Sequence, residues 1–442
     1  MLKTLFTLML LPPALFAEMY YVNTSGGDDN NPGSQDKPWQ TLGHASGKVK
    51  AGDTVTVAPG DYPEAVVIAA SGTEAEPVTF RAGPPRAAKV KSFKVSGDYI
   101  TIEGFDIAND ASQNGFGIHC GEAHRKNART GNRILNNFIH DINGTAIYSG
   151  TSGLVKDNTM RNVNRGVFAN SGTVVENNEI DTLVPFMEEG KDGESKPKKT
   201  QYNFFCGDDI IFRGNYLHGT QEKHLINGMG ACFFTTYDSW LYSPSRRILI
   251  ENNRCFDATH ASEPMGTAKK ESSHITYRNN LFVNTVYVGV MPKGYEYVTV
   301  ENNTFINCGA YPVWLQNDKQ CKTSVVKNNL IAYIGRERTV EAYGWKAPDA
   351  GIRFDTEGPK PDCDHNLIFG AENRNYGPND ITAKPLFVDP DNGDFRLKPG
   401  SPGIDAGMTI GDVKTDLRGV GRPQGKAYDI GAYEHDPAQN QP

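Results

Sequence analysis

The dipeptide Asn-Asn, carried each time inside a short β-rich phrase, recurs along most of this 442-residue chain and restricts its fold more than any other feature. The phrases span residues 134–138, 174–178, 248–253, 275–280, 298–303 and 325–329, with variants at Asp157-Asn158, Gly214-Asn215 and His365-Asn366. Between the second Asn of successive phrases the shorter steps are 21, 20, 27, 23 and 26 residues, and the longer ones are 37 or 38. A period in the twenties is the mark of a solenoid.

Each phrase reads as a strand of about four alternating residues, β-branched or aromatic on one face, ending in a polar corner. Asn tolerates the left-handed backbone that a sharp corner needs, and its amide can bond the next Asn one coil above. Hairpin turns of an antiparallel sandwich would favour Asn-Gly instead, and would not impose one phrase at coil-length spacing. The expected fold class is therefore all-β, a parallel β-helix. A second strand follows each corner, seven to ten residues on in most coils, at 145–149, 165–170, 231–235, 263–266, 288–293, 312–316 and 351–355. Period-two alternation turns Ile147, Val167, Val290, Leu315 and Phe354 inward. It leaves Tyr148, Phe168, Met291, Trp314, Gln316, Arg353 and Asp355 on an outer face that suits an extended chain better than a compact ligand.

Lys3, the apolar run 5–16 and Ala17 read as a cleavable signal peptide over 1–17, so a secreted or periplasmic protein is expected. Residues 18–60 would form an N-terminal cap and first strand, with a helix near 42–49; 61–380 the β-helix; and the Gly/Pro-rich 381–442 an irregular C-terminal cap. Caps are required because an open solenoid end exposes unpaired strand groups. The acidic loop 28–31 could bind calcium or be a plain solvated turn. No later stretch reaches the roughly 18 to 20 apolar residues of a membrane span. A charged fraction of 22% and a net charge of -7 leave no nucleic-acid or membrane footprint, and a monomer is expected. Among seven cysteines, Cys308 with Cys321 or Cys232 with Cys255 could pair, or all could be buried thiols.

The opening segment within 20–62 and the Gly/Pro-rich closing stretches 399–407 and 429–434, with the Asn-Asn coils between them, resemble the secreted bacterial right-handed parallel β-helix proteins of the pectate-lyase-like superfamily. The resemblance covers nearly the whole chain after residue 17, is specific for fold and opening segment, and is loose for chemistry. It implies a right-handed helix and polysaccharide processing, since that superfamily includes calcium-dependent pectate lyases, alginate and chondroitin lyases, and glycoside hydrolases. Fold does not fix function, and no motif carries one subfamily's catalytic set over residue by residue.

Candidate chemistry is densest in the central coils, where the 37- and 38-residue steps imply projecting loops that could wall a groove. The charged loop 188–199 is one such insertion. Eliminative cleavage of a uronate chain needs a base for the C5 proton and a cation to neutralise the carboxylate. Lys269, Lys293, His224 or His260 could be the base. Asp208, Asp209 and Asp238 could hold Ca2+, with Arg247 or Arg353 as a metal-free neutraliser. Hydrolysis instead needs two carboxyl groups, roughly 5 to 5.5 Å apart for retention or 6.5 to 9.5 Å for inversion, to be sought among Asp209, Glu222, Asp238 and Glu263. Tyr237, His260, Arg247, Trp314, Gln316, Arg353 and Asp355 are the expected substrate contacts. Lyase action on an acidic glycan leads; a glycoside hydrolase and a non-catalytic glycan-binding solenoid are the alternatives.

Overall fold

In the computed structural model the two residues of each Asn pair take separate roles. The first, at Asn136, Asp157, Asn177, Gly214, Asn252, Asn279, Asn302, Asn328 and His365, is left-handed, with φ between 51° and 65°. The second is buried and forms a ladder. Its Nδ2 donates to the Oδ1 one coil on, from Asn137 through Asn158, Asn178, Asn215, Asn253, Asn280, Asn303 and Asn329 to Asn366, at 2.9–3.1 Å. That same Oδ1 accepts a backbone N–H from the coil before, as Asn158 does from Asn137. A buried amide is unfavourable unless its hydrogen bonds are made, and the stack makes them. The ladder ends on Asp380.

The structure describes residues 17–109, 115–121, 127–181, 187–189, 195–197, 201–219, 232–237, 244–266, 272–309, 311–316, 321–333, 350–355, 358–371 and 377–436, with 187–189, 195–197, 201 and 237 as backbone alone. The Asn phrases form a sheet of 13 parallel strands from Met19–Val22 to Asp362–Asp364, the first face. Parallel pairing now begins at residue 19, so the expected first strand is already part of the helix. The rest of each coil forms a second parallel sheet that bends. Long strands such as Phe138–Tyr148, Thr159–Asn170 and Arg254–Met265 turn at a second left-handed residue, Asp141, Asn162 and Asp257. The coil thus has three faces where the sequence suggested two. The second face consists of stretches of only three residues right after each Asn pair, such as Glu179–Asp181 and Tyr216–His218. The expected second strand is the third face.

One apolar core runs up the coil interior from Val22 to Ile368 and includes Ile147, Val167, Val290 and Leu315, with Phe354 packed against it. On the outer side the expectation needs one correction. Phe168 and Met291 point out of the coil yet are buried. Phe168 lies between Tyr148 and Phe204, at ring separations of 5.6 and 5.1 Å, in a separate small cluster. Stacking at coil spacing lets outward aromatics cover one another.

At the N-terminus a helix, Leu42–Ser46, closes the first coil with Leu42 and Ala45 buried against it. Thr41 caps it, and the Glu64 carboxylate accepts the N–H groups of Leu42 and Gly43, an anion at the positive helix end. In the loop 28–31, Asp29 accepts from Gln40 N, Thr41 N and Thr41 Oγ1, which ties it as a turn. At the other end, Ile381 pairs with Leu367 at the last coil. The remainder folds back along the second face, where Phe387, Phe395, Leu397 and Ile430 cover the outward Leu281, Val283, Ile306 and Leu330. Burial of each such side chain contributes about 1.5–3 kcal/mol. A buried Arg422–Glu434 pair at 2.8 Å fastens this segment. All seven cysteines are free and buried, so neither expected pairing forms. Among the described residues no helix is long and apolar enough to cross a membrane.

Candidate active face

Successive coils place their second strands side by side on the third face, so residues 20 to 40 apart in sequence become neighbours about 4.8 Å apart. One outward row runs His119, Tyr148, Phe168, Phe204, Thr235 and Glu263. The pairing of Ser262 with Val290 and of Val290 with Val313 carries it on to Met291, Trp314 and then Arg353. Two residues along each strand, a second row reads Tyr237, Met265, Lys293 and Gln316, with Asp355 N bonded to Leu315 O beside it. Glu263 and Lys293 are therefore diagonal neighbours on adjoining coils, about 8 Å apart at the backbone.

Around them the side chains converge. His260 Nε2 lies 3.9 Å from Glu263 Oε2, each side chain only 12% exposed. The His260 ring meets Tyr287 edge-on at 5.2 Å, Tyr287 meets Trp314 at 6.2 Å, and Tyr311 meets Trp314 at 5.1 Å. The Arg353 guanidinium sits 4.7 Å from the Tyr311 ring centre and 4.5 Å from that of Trp314, and it donates to the Tyr311 hydroxyl. Trp314 Nε1 donates to Asp355 Oδ1 at 3.2 Å, and Arg353 Nε is 4.0 Å from the same oxygen. Burial, with the charges of Glu263 and Tyr311 adding, pushes the Tyr287 hydroxyl above its ordinary pKa, while Arg353 opposes. Gln316 Nε2 donates to Met291 Sδ. Lys293 is exposed at the edge of this group. The arrangement offers a cluster of mutually inclined aromatic rings with a cation, a carboxylate beside an imidazole, and an amine within one strip.

Asp208, Asp209 and Arg247 lie elsewhere. They occupy the corner from the third face into the first, on earlier coils, with Asp209 and Arg247 both left-handed. Arg247 Nε and Nη2 hold the two Asp209 oxygens at 2.6 and 2.7 Å, and Asp208 Oδ2 is 3.4 Å from Arg247 and 3.8 Å from Arg246. That bidentate bond keeps the Asp209 carboxyl below the usual carboxylate range. The expected roles of Asp209 as catalyst or calcium ligand, and of Arg247 as neutraliser, meet a pair already committed to each other. Glu222, His224, Asp238 and Lys269 lie outside the described residues, and Tyr237 is described by its backbone, paired with Met265. The loop 188–199 contains a two-strand antiparallel pair, Met187–Glu189 with Ser195–Pro197.

A column of titratable side chains on the second face went unread in the sequence. His140, Arg161, Asp181 and His218 each stand three residues past a ladder Asn, so counting on from the repeat would have found them. Glu179, Asp181 and His218 bring ligand-type atoms within 4.8 Å of one another, the group among the described residues that could hold a metal ion. Arg161 Nε already lies 2.9 Å from Asp181 Oδ2, however, and Arg161 Nη2 is 3.9 Å from Glu179. The guanidinium supplies the positive charge there.

The chain matches two family models, "Pel9A-like, right handed beta helix region" over residues 20–179 and "Right handed beta helix region" over 236–381. Among solved structures it is similar to XylC in complex with xylose, at 13% identity and TM-score 0.62 over 94% of this chain and 98% of that one. It is also similar to the pectate lyase Pel9A, at 15% identity and TM-score 0.54 over 95% and 96%. The alginate lyase AlyGC, of family PL6, matches at 15% identity and TM-score 0.50 over 95% of this chain and 60% of that one. At these identities the likeness is one of fold. The uncharacterized protein YwoF of Bacillus subtilis (strain 168) shares 46% identity over 61 residues, 14% of this chain and 13% of its own length.

Proposed function

Starting from membership of the pectate-lyase-like superfamily of right-handed parallel β-helix proteins, we propose that the chain is a secreted polysaccharide lyase that cleaves an acidic, uronate-bearing glycan by β-elimination on its third face. The observation that carries this reading is the strip joining Glu263, Lys293 and Arg353 to the Tyr287, Tyr311 and Trp314 rings on adjoining coils. The glycan runs past the Trp314 and Tyr311 rings, and Arg353, stacked over both, meets the carboxylate of the reacting uronate, a planar match of guanidinium to carboxylate. Lys293 is the base that takes the C5 proton. The electron pair forms the C4=C5 double bond and expels the glycosidic oxygen at C4. The Tyr287 hydroxyl, kept protonated by burial, is the group that returns a proton to that oxygen.

Two described carboxylates on this face, Glu263 and Asp355, are three coils apart, about 14 Å by coil spacing. That exceeds the separation a hydrolytic pair needs, so these two do not form one. Export rests on the signal-like residues 1–17, and the calcium expected at Asp208, Asp209 and Asp238 belongs to the same test.

Digestion of pectate, alginate and glycosaminoglycans, with and without chelator, decides the matter. Ultraviolet-absorbing unsaturated ends on one of them are the expected product. Reducing ends without that chromophore would move the chain to the hydrolases, and retention of glycan without turnover would make it a binding protein. Activity that survives chelator supports Arg353 as neutraliser, whereas activity abolished by chelator assigns that role to a bound cation.

A further inference from the structure

The left-handed corner residues form a row along the molecule, one per coil, and the C-terminal segment lies along part of it. Asn279 Nδ2 donates to Thr415 O at 2.7 Å, Asn302 Nδ2 to Asp429 O at 3.3 Å, and Asn328 Nδ2 to Met408 O at 2.7 Å. In earlier coils the row continues as Asn252, Gly214 and Asn177. There the segment stands off and leaves a cleft of about 650 Å³ between itself and the corner. Asn252 lines this cleft, with its Oδ1 buried and without a hydrogen-bond partner. A Cβ at Gly214 would come 2.4 Å from Asn177 Oδ1, so the glycine, at φ 65°, keeps this stretch of the rim open.

The cleft is cationic in a chain whose net charge is -7. Arg213, Arg254, Arg396 and Arg418 line it against one carboxylate, Asp394. Arg213 is held by Glu251 at 2.6 Å, Arg396 by Asp394, and Arg418 by Asp416 at 3.3 Å. Arg254 is exposed, lies 4.8 Å over the Tyr216 ring, and among the described residues pairs with no carboxylate. Tyr433 stands among these arginines, with Arg418 5.9 Å from its ring and Arg254 close enough to act on its hydroxyl. Asn392 and Gly393 also line a second cavity of about 540 Å³, walled by Phe256, Val283 and Phe395.

We propose that this cleft is a second, non-catalytic glycan site that binds an acidic oligosaccharide. A uronate carboxylate meets Arg254, hydroxyls meet the Asn252 amide, and the apolar ring faces pack toward Tyr433 and Phe256. Backbone carbonyls of the C-terminal segment already bond to corner amides of the same row, and a linear pyranose chain repeats at close to the coil spacing. The guanidinium fork of Arg254 favours a planar carboxylate over a bare anion. The cleft stands at the corner of the first and second faces, away from the third face. Only the class of its ligand rests on the function proposed above.

The test is equilibrium binding of a galacturonate oligomer, a mannuronate oligomer, a neutral glucan oligomer and inorganic phosphate to full-length Lys293→Gln protein. Arg254→Gln and Asn252→Asp are then added singly. Asn252→Asp preserves a residue type that accepts the left-handed corner, as Asp157 does. The expected result is binding of an acidic oligomer, weakened at least tenfold by each added change and absent for the neutral glucan. Turnover of the Arg254→Gln enzyme with Lys293 restored should match wild type. Affinity unchanged by both substitutions, equal binding of phosphate or neutral glucan, or no binding of any acidic oligomer would overturn the proposal. Arg254-dependent binding in a protein that cleaves no uronate polymer would instead sink the lyase reading and leave the cleft standing.

Discussion

On the first face each coil from Asn137 to Asn366 shows its neighbours the same pair, a left-handed corner and a buried amide, whereas on the third face one position is filled in turn by Phe204, Thr235, Glu263, Met291, Trp314 and Arg353. Identical partners one coil apart fix the register and satisfy each amide. Freed from holding register, the third face can vary from coil to coil, and there the aromatic and charged groups gather. A single Asn on that face shows the contrast. Asn203 is fully buried on the inward side, in the row of Val167 and Phe234, and neither its amide nitrogen nor its oxygen has a partner. The same residue type stabilises the coil where it repeats and strains it where it stands alone.

The comparison breaks most sharply at Lys293. Lys293→Gln should lower turnover about 10²- to 10⁴-fold, the usual contribution of a positioned base, while the exposed site leaves the melting temperature unmoved. Asn253→Ala, in mid-ladder, should do the reverse. It removes the acceptor of Asn215 N and Nδ2 and one donor to Asn280 Oδ1, and should cost about 3 kcal/mol in urea unfolding, with the activity of the folded fraction retained. A loss under 0.5 kcal/mol would mean the ladder merely accompanies the coil. Asn203→Leu should stabilise by about 1–2 kcal/mol, because it removes two unpaired buried polar atoms while filling similar volume; destabilisation would show a partner for that amide. Asp209→Asn should change both stability and turnover least, since an exposed ion pair contributes at most about 1 kcal/mol. Loss of activity there would move the site to the corner.

What could be read from the sequence follows from how far apart the determining partners are. The first face was legible because each Asn pair states its own backbone conformation and its own vertical partner. The outward side of the third face was legible as alternation, though not the burial of Phe168 and Met291, which depends on what stacks above and below. The second face was not legible, because three residues such as Glu179–Asp181 cannot display a period. The Asp209–Arg247 bond joins residues 38 apart, a distance meaningful only once the length of that coil is known. The path of the C-terminal segment depended on corner amides at Asn279, Asn302 and Asn328, read from sequence only as turn formers.

The most direct test of a catalytic third face compares Lys293→Gln with Asp209→Asn on whichever uronate polymer the wild-type protein cleaves, following new unsaturated ends by ultraviolet absorbance. The account predicts wild-type rates for Asp209→Asn and a loss of at least a hundredfold for Lys293→Gln. Equal rates for the two variants, or no unsaturated ends from any uronate polymer, would contradict it.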